Sequence, residues 1–150
     1  MADDRTALAE HYRKARAELE AAIDGLSDER MLETSLDGWS VTDHLAHIAA
    51  WDEVRAAEIR RIGAGHASAW RMTGAQDEAY NTMAYELRRG FSSAQARWEL
   101  AQTEEALLDA IAAVPDRALE ASLYGEAGLV SDHASEHAGW IRRWRSERGY

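Results

Sequence analysis

The chain has 150 residues, 46% apolar and 29% charged, which suits a globular domain with one sizeable core. Its net charge of −10 argues against a general nucleic-acid binder, because phosphate binding needs a basic face. The lack of cysteine excludes disulfides, thiolate metal ligands and a cysteine nucleophile, so any thiol chemistry needs a thiol brought by a cosubstrate.

No apolar run approaches the roughly 20 residues that span a membrane. The start, Met1-Ala2-Asp3-Asp4-Arg5, has no signal-peptide core. The expectation is no membrane contact and a cytoplasmic location.

With one proline and no alternating Val/Ile/Thr run, the chain reads as helices throughout. A first helix is expected over about residues 4 to 24, with a stripe at Leu8, Tyr12, Ala15, Leu19 and Ile23 and Gly25 to end it. The second has the clearest start. Asp37-Gly38 is a turn pair, Ser40 an N-cap, and Asp43 completes a capping box. Trp39 and His44 then occupy the positions of a hydrophobic staple. This helix continues through Leu45, Ile48, Trp51 and Val54 to about Ile62, where Gly63 and Gly65 stop it.

Residues 63 to 74 form a connection longer than most bundle loops, which allows a crossover that leaves neighbouring helices parallel. A shorter helix follows at about 75 to 89, with Tyr80, Met83 and Leu87 on one side. Ser92 with Gln95 resembles another capping box. It opens a helix with Leu100, Leu107, Leu108 and Ile111 inward, ending near Pro115. The last helix is expected over about 129 to 147. Its four arginines, Arg142, Arg143, Arg145 and Arg148, complement a helix C-terminal dipole or form an anion-binding patch. The fold class is an all-α, four-helix bundle in a single domain over 1–150, with one shorter helix and a long crossover after the second helix.

Three histidines carry the functional signal. His133 and His137 lie one turn apart on one helix face, in a stripe of Val130, His133, His137, Ile141 and Trp144. His47 lies on the inner side of the second helix, between Asp43 and Trp51. Two imidazoles from one helix and one from another make a metal site with open positions. The alternative is core histidines bonded to a carbonyl, Tyr or Asp, and the pattern alone leaves both open. Asp43 is available as an acceptor behind His47; His44 is a competing ligand or a residue standing behind the site, but the staple accounts for it without a metal, so His47 is preferred. His11 and His66 read as surface or loop residues. His133-Ala134-Ser135-Glu136-His137 also matches the H-x-x-E-H pattern of inverted zinc proteases, but Glu136 faces away from His137 and reads as an exposed helix charge.

Trp39-Ser40-Val41, with Asp43, Leu45, His47 and Trp51, resembles the second-helix signature of the DinB/YfiT-like metalloproteins. Asp132-His133 and Glu136-His137, closed by Trp140-Ile141 and Trp144, resemble that family's last-helix histidine pair. Asp77-Glu78-Ala79-Tyr80-Asn81 resembles the third helix of some DinB-like branches. The resemblance covers nearly the whole chain. It implies an up-down-down-up bundle and a divalent metal, usually zinc or nickel, held by His47, His133 and His137. Assigned relatives include transferases and isomerases using low-molecular-weight thiols, and hydrolases of reactive small molecules. The 150 residues show no segment resembling the second domain that some thiol-dependent isomerases carry, so that subclass is not the expectation.

Two functional readings follow. One is a metal-dependent transferase or hydrolase acting on a small electrophile. In it, metal binding lowers the pKa of water or of a thiol cosubstrate, and Asn81, Tyr80, Trp70, Trp51, Tyr124 and Arg71 are pocket candidates. The other is a metal- or ligand-binding stress-response protein without turnover. Six tryptophans, with Trp98 and Trp140 beside the core stripes rather than in them, point to a homodimer.

Overall fold

The computed structural model describes residues 2–35, 38–70 and 73–150. Asp37 of the expected turn pair, and the pocket candidate Arg71, lie outside the described residues. Among the described residues, six α-helices run in the order α1 (Ala2–Ile23), α2 (Asp28–Met31), α3 (Val41–Gly63), α4 (Gly74–Arg88), α5 (Ser93–Ala113) and α6 (His133–Arg148). Two 3₁₀ segments, Asp116–Leu119 and Ala121–Ala127, join α5 to α6. Sequence reading missed the short α2 and both 3₁₀ segments, which are too brief for an apolar period to register.

Local chemistry starts α3 where it was expected to. Ser40 Oγ accepts the Asp43 N–H at 3.0 Å while Asp43 Oδ2 accepts the Ser40 N–H at 2.9 Å. Both halves of the box are therefore made, satisfying two backbone donors that a helix start leaves orphaned. Thr73 and Gln76 build the same box at the start of α4, a signal not read from the sequence. At the far end of α5, Val114 turns extended ahead of Pro115, as the proline ring requires of the residue before it.

The helix directions follow from which ends meet. Leu19 and Ile23 share one apolar cluster with Val41, Leu45, Ile48 and Leu100, while Leu8 and Tyr12 share another with Ile59, Ile62 and Ile111. So α3 runs against α1, and α5 runs with α3. Beside α1, Ser131 meets His11 and Arg145 meets Ala22, so α6 runs with α1. The order is up-down-down-up.

The return journey between the parallel α3 and α5 is made by α4 rather than by the 63–74 link alone. It lies antiparallel along α3, with Tyr80 Oη donating to the Ala50 carbonyl at 2.9 Å and Tyr85 stacked on Trp39 at 5.7 Å. Its inner face is Tyr80, Asn81, Ala84 and Tyr85. Of the expected Tyr80–Met83–Leu87 side, Tyr80 faces inward, whereas Met83 is 53% and Leu87 68% exposed, because α4 covers only the flank of α3 and needs a narrow apolar face.

The last helix begins at His133, four residues later than expected, and Val130 is 55% exposed instead of in its stripe. The carbonyls just before it are taken by α1 side chains. Tyr12 Oη donates to the Leu129 carbonyl at 2.5 Å, and His11 Nε2 lies 3.1 Å from the Ser131 carbonyl. A carbonyl held sideways does not accept the i+4 N–H of a helix. Within the C-terminal arginines, Arg145 donates to the Ala22 and Asp24 carbonyls and Arg142 to that of Glu18. They satisfy the C-terminus of the neighbouring α1.

The two apolar clusters are separated by a polar waist. There Arg16, from α1, reaches Asp52 of α3 at 2.5 Å, Glu104 of α5 at 3.4 Å and the Leu100 carbonyl at 2.6 Å. This waist lies level with the start of α6 and so beside the histidines, since a small hollow is lined jointly by Arg16, Asp52, Glu104 and His133.

Candidate metal centre

His47 comes from the second turn of α3, and His133 and His137 from the first two turns of α6. Parallel packing of α6 with α1, and antiparallel packing of α3, brings these turns face to face. His133 Nε2 lies 2.9 Å from His47 Nε2 and 3.1 Å from His137 Nε2. One ligand atom from each of the three residues falls within 4.8 Å of the others. Metal–nitrogen bonds of about 2.0–2.1 Å at about 90–110° to one another put neighbouring ligand nitrogens roughly 2.9–3.4 Å apart, which is the spacing observed.

Proton counting tests the fit further. A neutral imidazole nitrogen carries either one hydrogen or one lone pair. His133 Nε2 faces two other Nε2 atoms, so a single well-directed hydrogen bond can satisfy only one of the two contacts. Protonating His133 or His137 does not help, because desolvation opposes a charged ring at either position. Burial, and then the neighbouring His47, pushes the His133 imidazole down to about 3. Burial, and then the neighbouring His133, pushes His137 down to about 2. Three imidazoles with converging nitrogens suit a cation that accepts their lone pairs, and this donor set could hold a divalent metal ion.

The rear of the site is polar as well. His44 is buried, with Nδ1 2.6 Å from His137 Nδ1 and Nε2 3.1 Å from Ser35 Oγ. Behind a metal-ligating imidazole the expected acceptor is a carboxylate or a carbonyl; His137 has a histidine there instead. The staple expected of His44 is also present, since its ring meets Trp39 at 5.7 Å. Asp43 has its Oδ2 on the Ser40 N–H, so its carboxylate serves the helix cap.

On the open side lies a cleft of about 290 Å³, lined by His47, Trp51, Arg55, Asn81, Asp132 and His133 among others. That is near the lower end of small-molecule sites, about 300 Å³. Trp51 Nε1 donates to Asn81 Oδ1 at 2.7 Å, fixing the amide orientation. Trp51, Trp70 and Tyr80 pack edge to face at 4.8 to 5.2 Å and form one aromatic wall. Tyr124 is placed elsewhere. It is buried with its hydroxyl on the Ala118 carbonyl at 2.6 Å, and lines a smaller hollow beside Trp51. Glu136 is exposed at the mouth of the cleft, and His66 is exposed on the link after α3.

Sequence reading missed His11 and the waist. His11 is half-buried, with Nε2 2.9 Å from Asp132 Oδ1 as well as beside Ser131, so it clamps the segment that presents His133. Arg16 and Asp52 each occupy a position between apolar residues of their helix stripes. A charge in that register on two helices is the signal that could have found the pair.

A family model described as DinB superfamily matches residues 11–141, from the first half of α1 into α6. Comparison with curated proteins finds no match.

Proposed function

Because the chain belongs to the DinB superfamily, we propose that it is a divalent-metal-dependent transferase or hydrolase acting on a small electrophile, with a low-molecular-weight thiol as cosubstrate. The observation that carries this reading is the convergence of three imidazole Nε2 atoms on the wall of an open cleft. His47, His133 and His137 would hold the ion, which the family resemblance makes zinc or nickel; imidazole nitrogens suit both. A divalent ion so held supplies Lewis acidity and lowers the pKa of a water or thiol, making a nucleophile available at neutral pH.

The chain's own residues supply shape and orientation. Trp51, backed by Trp70 and Tyr80, offers the cleft an apolar surface for one side of the substrate. Asn81, held by Trp51, directs its amide. Arg55 is tied to the Gly128 carbonyl at 3.2 Å and offers the cleft a positive charge suited to an anionic leaving group or a thiol's carboxylate. With no cysteine in the chain, the sulfur nucleophile has to enter as a second small molecule.

The test is metal analysis of the purified protein, followed by a conjugation screen of several small thiols against several electrophiles. Stoichiometric metal with thiol consumption that a chelator abolishes is the expected result. Protein that binds neither zinc nor nickel sinks the reading. Metal with no turnover of any pair returns the assignment to a non-catalytic metal-binding protein.

A further inference from the structure

We propose that His44 is a positioning residue for this centre. It accepts the Nδ1–H of His137 and so keeps the Nε2 lone pair of that ring aimed at His47 and His133. The inference rests on the metal reading of the triad and assigns the group behind it.

The contact between His44 Nδ1 and His137 Nδ1 is 2.6 Å long. At that distance a proton lies between the two nitrogens, because facing lone pairs repel. The rings are 1% and 3% exposed, so the contact between them is shielded from water. The question is which ring owns the proton, and Ser35 makes both answers possible, since a hydroxyl can donate or accept.

In the first arrangement His137 Nδ1–H donates to His44 Nδ1, and His44 Nε2–H donates to Ser35 Oγ, 3.1 Å away. His137 Nε2 is then a bare lone pair. In the second, the Ser35 hydroxyl donates into His44 Nε2 and His44 Nδ1–H donates into His137 Nδ1. The remaining hydrogen of His137 then sits on Nε2, pointing at His133 Nε2, and that nitrogen cannot ligate. The two arrangements differ only in where the protons of one short chain lie. The first alone is competent for a cation, and a bound cation selects it.

His44 is well placed to hold this role. It lies one turn before His47 on α3, boxed edge-on by Trp39 at 5.7 Å and tilted against Trp140 at 6.5 Å, so its ring plane is fixed by packing. A carboxylate would be the stronger acceptor, but an ionised carboxylate at a fully buried position carries a large desolvation cost. A neutral imidazole accepts the same hydrogen without a net charge.

The experiment measures zinc and nickel affinity by chelator competition at pH 7 for wild type, His44→Phe and His44→Gln, with thermal unfolding of the metal-free proteins alongside. Phe keeps the ring packing and removes the acceptor; Gln keeps an acceptor oxygen. His44→Phe is expected to bind roughly 10–100-fold more weakly, with Gln recovering most of the loss. The metal-loaded wild type provides a readout that needs no variant. A ¹⁵N–¹⁵N coupling across the hydrogen bond should join His44 to His137, with the hydrogen assigned to His137 Nδ1. Undiminished affinity in a folded His44→Phe overturns the proposal, as does a metal-loaded His137 whose hydrogen is not on Nδ1 or shows no coupling. If His44→Phe does not fold, the coupling and the Gln variant decide. A wild type that binds neither ion overturns the metal reading as well, which separates the two failures.

Discussion

The Arg16 guanidinium and the Asp52 carboxylate meet at 2.5 Å between two apolar clusters, each side chain about one-tenth exposed or less. Ion pairs at such depth contribute little net stability, because desolvation offsets most of the attraction, yet removing one partner strands a charge. Arg16→Met is therefore expected to destabilise the bundle by about 3–5 kcal/mol, and Arg16→Met with Asp52→Leu to recover much of that loss. Urea unfolding of the single and double variants checks it; equal losses in both would show that the pair matters by packing alone.

Gly63, at the end of α3, approaches Val114 so closely that an added Cβ would sit 2.6 Å from Val114 Cγ1 and 3.2 Å from its Cβ. The obstacle is a short β-branched side chain, which cannot swing away. Alanine would improve helix propensity by about 1 kcal/mol, but overpacking at a closed contact costs about 1–3 kcal/mol. Gly63→Ala should lower the melting temperature, and Val114→Ala in the same chain should relieve the clash. A rise in melting temperature for Gly63→Ala alone would refute this.

Acid should destabilise the metal-free protein. His133 and His137 sit at about 3 and 2 when folded, against 6.5 when free. Above about pH 6.5 neither state holds these protons, and stability is fully present. As pH falls below 6.5 the unfolded chain takes up two protons that the folded chain refuses, and stability is lost. Asp52 acts in the opposite sense. Burial outweighs the Arg16 guanidinium and raises its carboxyl to about 6, against 3.8 free, so between about pH 4 and 6 the folded chain holds one proton more there. Over these three groups the difference is one proton, or about 1.4 kcal/mol lost per pH unit in that range. Denaturant unfolding in chelator at pH 4.5, 5.5 and 7 measures the slope. Asp52→Asn should steepen it toward two protons, and a flat profile would contradict the burial of the imidazoles.

His137→Ala should abolish metal retention and leave the bundle folded. The variant loses one of three proposed ligands and the one-turn spacing of the α6 pair. The leucine and isoleucine stripes of four long helices remain, enough apolar burial to fold without metal. Any thiol-dependent activity should vanish with the metal. Circular dichroism and metal content of the variant separate the possibilities. Stoichiometric metal would show that His137 is not a ligand, and an unfolded chain would show that the histidines are structural first.

The local chemistry of the chain was enough to read the helices and the triad. Ser40 and Asp43 start α3 by hydrogen bonds spanning three residues, and Pro115 ends α5 through its own ring. His133 and His137 share a face because a helix turns every 3.6 residues. Such features depend only on near neighbours, so they are legible without a fold. What tertiary structure decided are the relations between helices. Tyr12 and His11 hold the Leu129 and Ser131 carbonyls and delay α6 to His133. The outward turn of Met83 and Leu87 reflects how little of α3 remains for α4 to cover. Tyr124, a pocket candidate, has its hydroxyl on the Ala118 carbonyl and lines the hollow beside Trp51 rather than the cleft of the histidines. His44 had two meanings in sequence, staple or ligand. It became the partner of His137 only when α6 lay alongside α3, because the direction of an imidazole's second nitrogen has meaning only once the atom facing it is in place.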